Sequence, residues 1–357
     1  MPTSTACRDA DVAESLADAV RRASETHTPL RIVGGDSKRF YGRPSTDDVL
    51  SVASHRGVIA YEPTELVITA RAGTPIVDIE ALLATRGQML AFEPPVFGPT
   101  STIGGVVATG LSGPRRPFAG AVRDFVLGVT VLDGQGRSLR LGGTVVKHVA
   151  GFDGFRLMAG ALGCLGVLLD VSLRVVPKPR AERALSLQLD TSASATLLTG
   201  LVRRPLPVSG AFHDGARLNL RLSGADAAVA QAAREIGGED APLGPWDDLR
   251  HMRLPLLSAP RLWRLAVPRT AGDLTLEGRW LHDWAGAQRW LVTDDLADQV
   301  RAVAVAVGGH ATLFRGAGPD EAVFTSLPPP LLALHQRLKA AFDPAGIINP
   351  GRMYKEL

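Results

Sequence analysis

The 357 residues predict an α+β fold of two units, with a short tail returning to the first. Three observations carry this prediction. Short β-rich runs mix with amphipathic helical stretches through the first half. Glycine- and hydroxyl-rich segments interrupt those runs at 34–37 and 99–113. The sequence Pro177-Lys178-Pro179-Arg180 then ends the pattern, which places the units at 1–178 and 179–340 and the tail at 341–357.

Taken in order, Asp11 to Glu25 sets Val12, Leu16, Ala19 and Val20 at helical spacing, with Asp9 or Asp11 as a cap. The apolar run Leu30, Ile32, Val33 reads as a short buried strand that enters the turn Gly34-Gly35-Asp36-Ser37. Glycines there accept backbone angles closed to other residues, and such a turn can aim successive N–H groups at a diphosphate. Val49–Val52, Val58–Tyr61 and Leu66–Arg71 read as strands, and Thr74-Pro75 opens a helix that Gly87 ends. Residues 93–113 read as a hydroxyl- and glycine-rich loop around the apolar stretch Ile103–Ala108, suited to close approach by a large planar or phosphorylated ligand. Phe125–Leu132, the turn Asp133-Gly134-Gln135-Gly136 and Ser138–Leu141 form a hairpin, and Val167–Val176 a further strand.

Composition narrows the function. Hydrophobic residues make up 45% and charged residues 21%, so both units can bury cores. The net charge of +3, from 39 basic and 36 acidic residues, is spread without a basic run and excludes a nucleic-acid footprint. Two cysteines, Cys7 and Cys164, provide neither a zinc site nor an iron–sulfur cluster and fit a reducing compartment. With no leader-like opening and no apolar run of membrane-spanning length, a cytoplasmic location is expected. No Gly-x-Gly-x-x-Gly follows a strand and no Gly-Lys-Ser/Thr occurs, which disfavours nicotinamide dinucleotides and a P-loop.

The order and spacing of residues 30–38, 99–113, 123–141 and 145–179 resemble the vanillyl-alcohol-oxidase-type FAD-linked oxidases, with their PCMH-type flavin domain. The resemblance implies a two-subdomain FAD-binding domain followed by a smaller, reduced cap-like domain. It places the FAD diphosphate on Val33, Gly34, Gly35, Asp36 and Ser37. A second contact falls on Pro99, Thr100, Ser101, Thr102, Gly104 and Gly105, continued by Thr109, Gly110 and Ser112. The adenine side falls on Gly160, Gly163, Gly166 and Val167. Relatives with covalent flavin carry His at the position of Asp36 or Cys within 99–113; neither is present here, so dissociable FAD is expected. His148 stands where related sequences commonly have Asn and reads as structural, while Lys147 is either an exposed lysine or a cation facing the flavin.

The second half carries strands at Leu185–Leu189 and Leu218–Leu222, helices at Ala225–Ile236 and Leu331–Phe342, and all five tryptophans, at 246, 263, 280, 284 and 290. These rings read as core anchors more readily than as a cavity lining. In the last helix Leu331, Leu334, Leu338 and Phe342 share a face. His213, His251, His282, His310 and His335 are too scattered to form a linear metal motif. The family resemblance therefore implies a flavin-carrying redox subunit of a glycolate (2-hydroxyacid) oxidase complex. Its partners would be a catalytic flavin subunit and an iron–sulfur subunit, with peripheral membrane association arising only through the complex. Two alternatives remain open: a self-sufficient oxidase with Arg315 or Arg352 holding a carboxylate, and a scaffold subunit without flavin.

Overall fold

Apolar alternation in the first half closes into a five-stranded antiparallel sheet. The computed structural model describes residues 9–144 and 153–357, so Cys7, Lys147 and His148 lie outside the described residues. In spatial order the sheet runs Val58–Glu62, Val67–Arg71, Val167–Arg174, Val126–Leu132 and Ser138–Gly142. The central strand alternates little because both its faces are covered, so it reads as a continuous apolar run. Helix Ile76–Ala84 lays Ile76, Ile79 and Leu83 on this sheet, all fully buried. Each contributes roughly 1.5–3 kcal/mol of burial, and Ile79→Ala would open a cavity costing about 2–5 kcal/mol.

Beside this sheet lies a parallel pair, Leu30–Val33 with Asp48–Ser51. Helix Ala13–Thr26 covers it with Leu16, Val20 and Ala23, and Ile347 and Ile348 of the tail complete that core. The tail is fastened by polar contacts as well. Asn349 accepts from the Ile32 N–H at 2.8 Å and donates to the Leu162 carbonyl at 2.8 Å. Buried Lys339 pairs with Asp343 at 2.7 Å, so the helix Pro329–Phe342 buries a lysine. Its leucine stripe does not seat as the spacing suggests. Leu331 and Leu334 are exposed and only Leu338 and Phe342 pack on the core, because Lys339 takes the inner face and turns the stripe outward.

After Pro177 the chain builds an eight-stranded sheet whose pairings are antiparallel. Its spatial order is 239–241, 181–187, 218–224, 208–213, 279–283, 288–292, 262–266 and 310–315. One face carries Phe212 and Trp290 into a core shared with Tyr41, Leu162 and Cys164 of the first half. The other carries Ala211, Leu218 and Leu220 beneath helices Thr191–Leu201 and Asp226–Ile236. Four of the tryptophans (246, 263, 284 and 290) are buried, in keeping with anchors, while Trp280 is half-buried.

One cluster of charges where the two sheets meet is paired. Glu93 lies between Arg115 at 3.1 Å and Arg221 at 2.9 Å, and the Trp284 indole donates to the Gly113 carbonyl at 3.0 Å. Next to them sits Asp283, 3% exposed, which accepts from the Trp284 N–H at 2.7 Å and the Gln288 amide at 3.1 Å. Burial pushes its carboxyl up to about 7, even against these two hydrogen bonds.

The stretch expected to be a loop at 103–108 is a helix, Ile103–Thr109. Thr102 caps it by accepting from the Gly105 N–H at 3.2 Å, and Gly110 stops it at φ +65°. Two internal glycines lower its intrinsic propensity, but tight packing of Gly104 against Ala72, where a Cβ would come within 2.7 Å, favours them.

Candidate flavin site

The turn after the strand Leu30–Val33 borders a narrow cleft of about 100 Å³ between the first loop, helix Ile103–Thr109 and the tail. Its distinguishing feature is a run of unused donors. Among the described residues the backbone N–H groups of Gly34, Gly35, Asp36, Ser37 and Lys38 make no intramolecular hydrogen bond. Unpaired backbone donors gathered at a turn form an anion-binding concavity. Asp36, at φ +49°, supplies the left-handed residue of that turn. Its carboxylate pairs with Arg31 at 3.0 Å, which offsets the negative charge beside the donors.

Lys38 adds the positive charge. It is 9% exposed, forms no ion pair or hydrogen bond among the described residues, and sits with its ammonium 5.9 Å from the Phe97 ring centroid. Burial lowers its pKa to about 8, the mark of a desolvated amine without a counterion. A diphosphate supplies that counterion, so the donor run and Lys38 fit an FAD diphosphate at this cleft. One lysine after a turn has no linear signature, and the burial of Lys38 is visible only once Gly105 and Phe97 are brought above it. Lys38→Met should reduce FAD affinity by roughly 10-fold or more, the loss of one charge-assisted contact, as read by flavin fluorescence titration.

Neither glycine of the turn lies at positive φ, so the unusual backbone angles expected of them are not what they provide. A Cβ on Gly35 would lie 1.6 Å from the Thr100 carbonyl oxygen, and one on Gly34 would lie 2.4 Å from Thr102 Oγ1. They let the first loop press on the second. Ser37 Oγ and Ser101 Oγ meet at 2.8 Å, and Thr100 Oγ1 donates to the Gly35 carbonyl at 2.9 Å. Ser101 is fully buried, so it buttresses the turn from behind.

The cleft thus gathers Val33, Gly34, Gly35, Asp36, Ser37, Thr102, Gly105 and Thr109 from the sequence-derived set. It also gains the tail residues Asn349 and Arg352. Pro99, Thr100, Ser101 and Gly104 do not line it, and Ser112 accepts from the Val122 N–H at 3.1 Å. Gly163 abuts the Asn349 amide, Gly166 abuts the Leu132 carbonyl, and Val167 is fully buried.

Past Tyr41 and Thr109 the cleft leads into a cavity of about 510 Å³ between the two sheets, where Gly110 and Gly160 also lie. Two guanidinium groups from opposite halves converge there. Arg116 stacks on the Trp284 ring at 4.1 Å, and Arg264 lies 5.9 Å from the Tyr41 centroid. Neither has an ion pair or hydrogen bond among the described residues. Burial, then the neighbouring Arg264 and Arg123 charges, lowers the Arg116 pKa. His310 lines the same wall, its pKa lowered by burial and by Arg264. By contrast, Arg315 donates to the Leu257 and Ala259 carbonyls, and Arg352 to those of Arg39, Tyr41 and Arg43. Those two hold backbone; of the three arginines that line the cavity, Arg123 pairs with Asp124 at 3.8 Å, which leaves Arg116 and Arg264 without an ion pair among the described residues. Among the described residues no group of three or more His, Cys, Asp or Glu side chains is placed to hold a metal ion.

A donor-lined turn with a buried lysine, continuing into a large cavity beneath a second sheet, defines a flavin-dinucleotide-binding oxidoreductase. Comparison with known proteins agrees: the FAD binding domain matches residues 9–142, and the C-terminal domain of FAD linked oxidases matches residues 271–353. The chain belongs to the FAD-linked oxidase family. It is 46% identical to the glycolate oxidase subunit GlcE of Escherichia coli (strain K12) across 98% of this chain and 99% of that protein. It is 28% identical to the glycolate oxidase subunit GlcD of Bacillus subtilis (strain 168) over 58% of this chain and 45% of that one. Among solved structures, an alkyldihydroxyacetonephosphate synthase matches with a TM-score of 0.66 at 14% identity, covering 94% of this chain and 75% of that one, a likeness of fold.

Proposed function

We propose that this chain is the FAD-carrying redox subunit of a complex that oxidises glycolate, or a close 2-hydroxy acid, to the corresponding 2-oxo acid. The observation carrying this reading is the end-to-end similarity to GlcE combined with a cleft whose unused donors match a diphosphate. When bound, FAD would supply two-electron redox chemistry here, relaying electrons from the catalytic flavin subunit to the iron–sulfur subunit. The chain's own residues do the holding. The turn donors and Lys38 fix the diphosphate, and Tyr41, Thr109 and Gly110 shape the passage to the larger cavity. The proposed partners are a catalytic flavin subunit and an iron–sulfur subunit, with any membrane association peripheral and through them. No helix among the described residues is long and apolar enough to cross a membrane.

The acid-precipitation spectrum tests this reading. Flavin absorbance that moves to the supernatant is the expected result, since neither a His nor a Cys stands at the positions of covalent attachment. Protein that never retains added FAD would sink the assignment in favour of a scaffold.

One observation favours a second reading, in which this chain also receives the acid. Arg116 and Arg264 have no counterion and face one cavity, and paired guanidinium groups suit a carboxylate. Oxalate, a non-oxidisable acid anion, should therefore perturb the spectrum of the bound flavin. Arg116→Met and Arg264→Met should each weaken that titration by about 10-fold or more while leaving flavin content unchanged. A flavin spectrum indifferent to oxalate rejects the second reading and leaves the first standing.

A further inference from the structure

The eight-stranded sheet holds another cavity, on the face turned away from the flavin cleft. It measures about 430 Å³ and opens between the helix Thr191–Leu201, the strand residues His213 and His282, and the loop 269–273. The rest of that face is an aliphatic core of Ala211, Leu218 and Leu220, so a polar hollow within it calls for an explanation.

Some of its polar groups are fully used. His213 Nδ1 accepts from the Gly215 N–H at 3.1 Å, which makes Nε2 the protonated nitrogen, donating to the Leu189 carbonyl at 2.8 Å. Arg289 is buried and spends its guanidinium on the carbonyls of Ala271, Gly272 and Gly286, which anchors the loop. It forms no ion pair among the described residues, and the carboxylate acting on its charge is the cavity-lining Asp273.

Others are unused. Ser194 is 3% exposed and its hydroxyl has no partner. The Arg269 Nε is buried and unpaired. The His282 ring touches His213 and Trp280 but makes no hydrogen bond among the described residues. Burial, then the Arg289 charge, lowers its pKa to about 4, so at neutral pH it offers a neutral imidazole. Nine in ten or more buried polar groups in folded proteins find a partner. Here several without one line a single cavity. A hydroxyl, a guanidinium N–H and an imidazole N–H are donors, and the net charge of Arg269, Arg289 and Asp273 is positive. That set suits one carboxylate. Asp273, which accepts from Thr191 at 3.4 Å, is a spare acceptor for a ligand hydroxyl and opposes a second negative charge.

We propose that this cavity is a second small-molecule site, separate from the flavin cleft, which binds a small hydroxy-monocarboxylate anion. Arg269 and Ser194 take the carboxylate, and Asp273 the hydroxyl. The ligand bridges the helix and the anchored loop, and the inference does not depend on the reaction proposed above.

The test uses the full FAD-loaded chain and imidazole NMR, with the signal among its eight histidines assigned through His282→Gln. Lactate is added to about 10 mM, which reads millimolar and tighter affinities. Propionate, phosphate and chloride at matched ionic strength are the comparators. A carboxylate bound beside His282 favours its imidazolium, so lactate should raise the pH at which His282 titrates by about one unit or more. Propionate, matched to lactate in concentration of the ionised form, should act more weakly, and Arg269→Met should weaken the lactate response by about 10-fold or more with the flavin spectrum unchanged. A response equal with chloride or phosphate, no response to lactate, or one untouched by Arg269→Met overturns the site. An equal response to propionate overturns the hydroxy-acid assignment.

Discussion

Gly35→Val is expected to strip the purified chain of most of its FAD. The added Cβ would sit 1.6 Å from the Thr100 carbonyl oxygen, a backbone atom with no rotamer to escape into. One loop must retreat, and with it goes the Ser37–Ser101 contact that holds the turn from behind. Overpacking of this kind costs about 1–3 kcal/mol, which corresponds to roughly 5- to 150-fold in affinity if it falls on the bound geometry. The measurement is the flavin-to-protein ratio after gel filtration, together with a fluorescence titration. Gly105→Ala is the comparison, because its Cβ meets only Thr102 Oγ1 at 3.3 Å and Lys38 Nζ at 3.8 Å, and it should retain most of the cofactor. Equal occupancy in Gly35→Val and the parent chain would remove the two-loop account of the site.

The second large effect concerns pH. In the folded chain Asp283 titrates at about 7, against 3.8 for an ordinary aspartate. Between those values the native state keeps a proton that the unfolded state has lost. Stability is therefore greatest below about pH 4 as far as this group is concerned; it falls as pH rises and is lowest above about pH 7. A shift of this size corresponds to something on the order of 4 kcal/mol. Asp283→Asn cannot ionise, and its carbonyl can still accept from the Trp284 N–H, while a flip of the Gln288 amide restores the other bond. Urea denaturation at pH 5.5 and 8 should show the parent losing stability relative to the variant at the higher pH. Parallel pH dependence in the two proteins would mean that Asp283 is charged throughout.

Much of the first half was legible because its signals are local. The run Leu30 to Val33 ahead of Gly34-Gly35, and the Asp133–Gly136 turn between alternating strands, each state their structure within a few residues. The helix Ile103–Thr109 was not legible, since its glycines argue against a helix and its reason for having them, contact with Ala72, is tertiary. The same holds for function. The turn donors could be anticipated from Gly34-Gly35, whereas Arg116 and Arg264 are far apart in sequence and meet only because the second sheet folds over the first. Asp283 carried no signal either; a single acid in a strand looks solvated until Glu93 and Arg221 close around it.

The fastening of Asn349 to Ile32 and Leu162 sets an order of events during synthesis. The strand beside the flavin turn leaves the ribosome 317 residues ahead of Asn349, yet one of its N–H groups has to wait for it. Until then the cleft lacks a wall, and Lys339 and Asp343 have not reached their buried places. Contacts of such long sequence separation form late. A nascent chain halted short of the tail should therefore fail to take up cofactor, so flavin capture waits for residue 349 rather than being an early folding step.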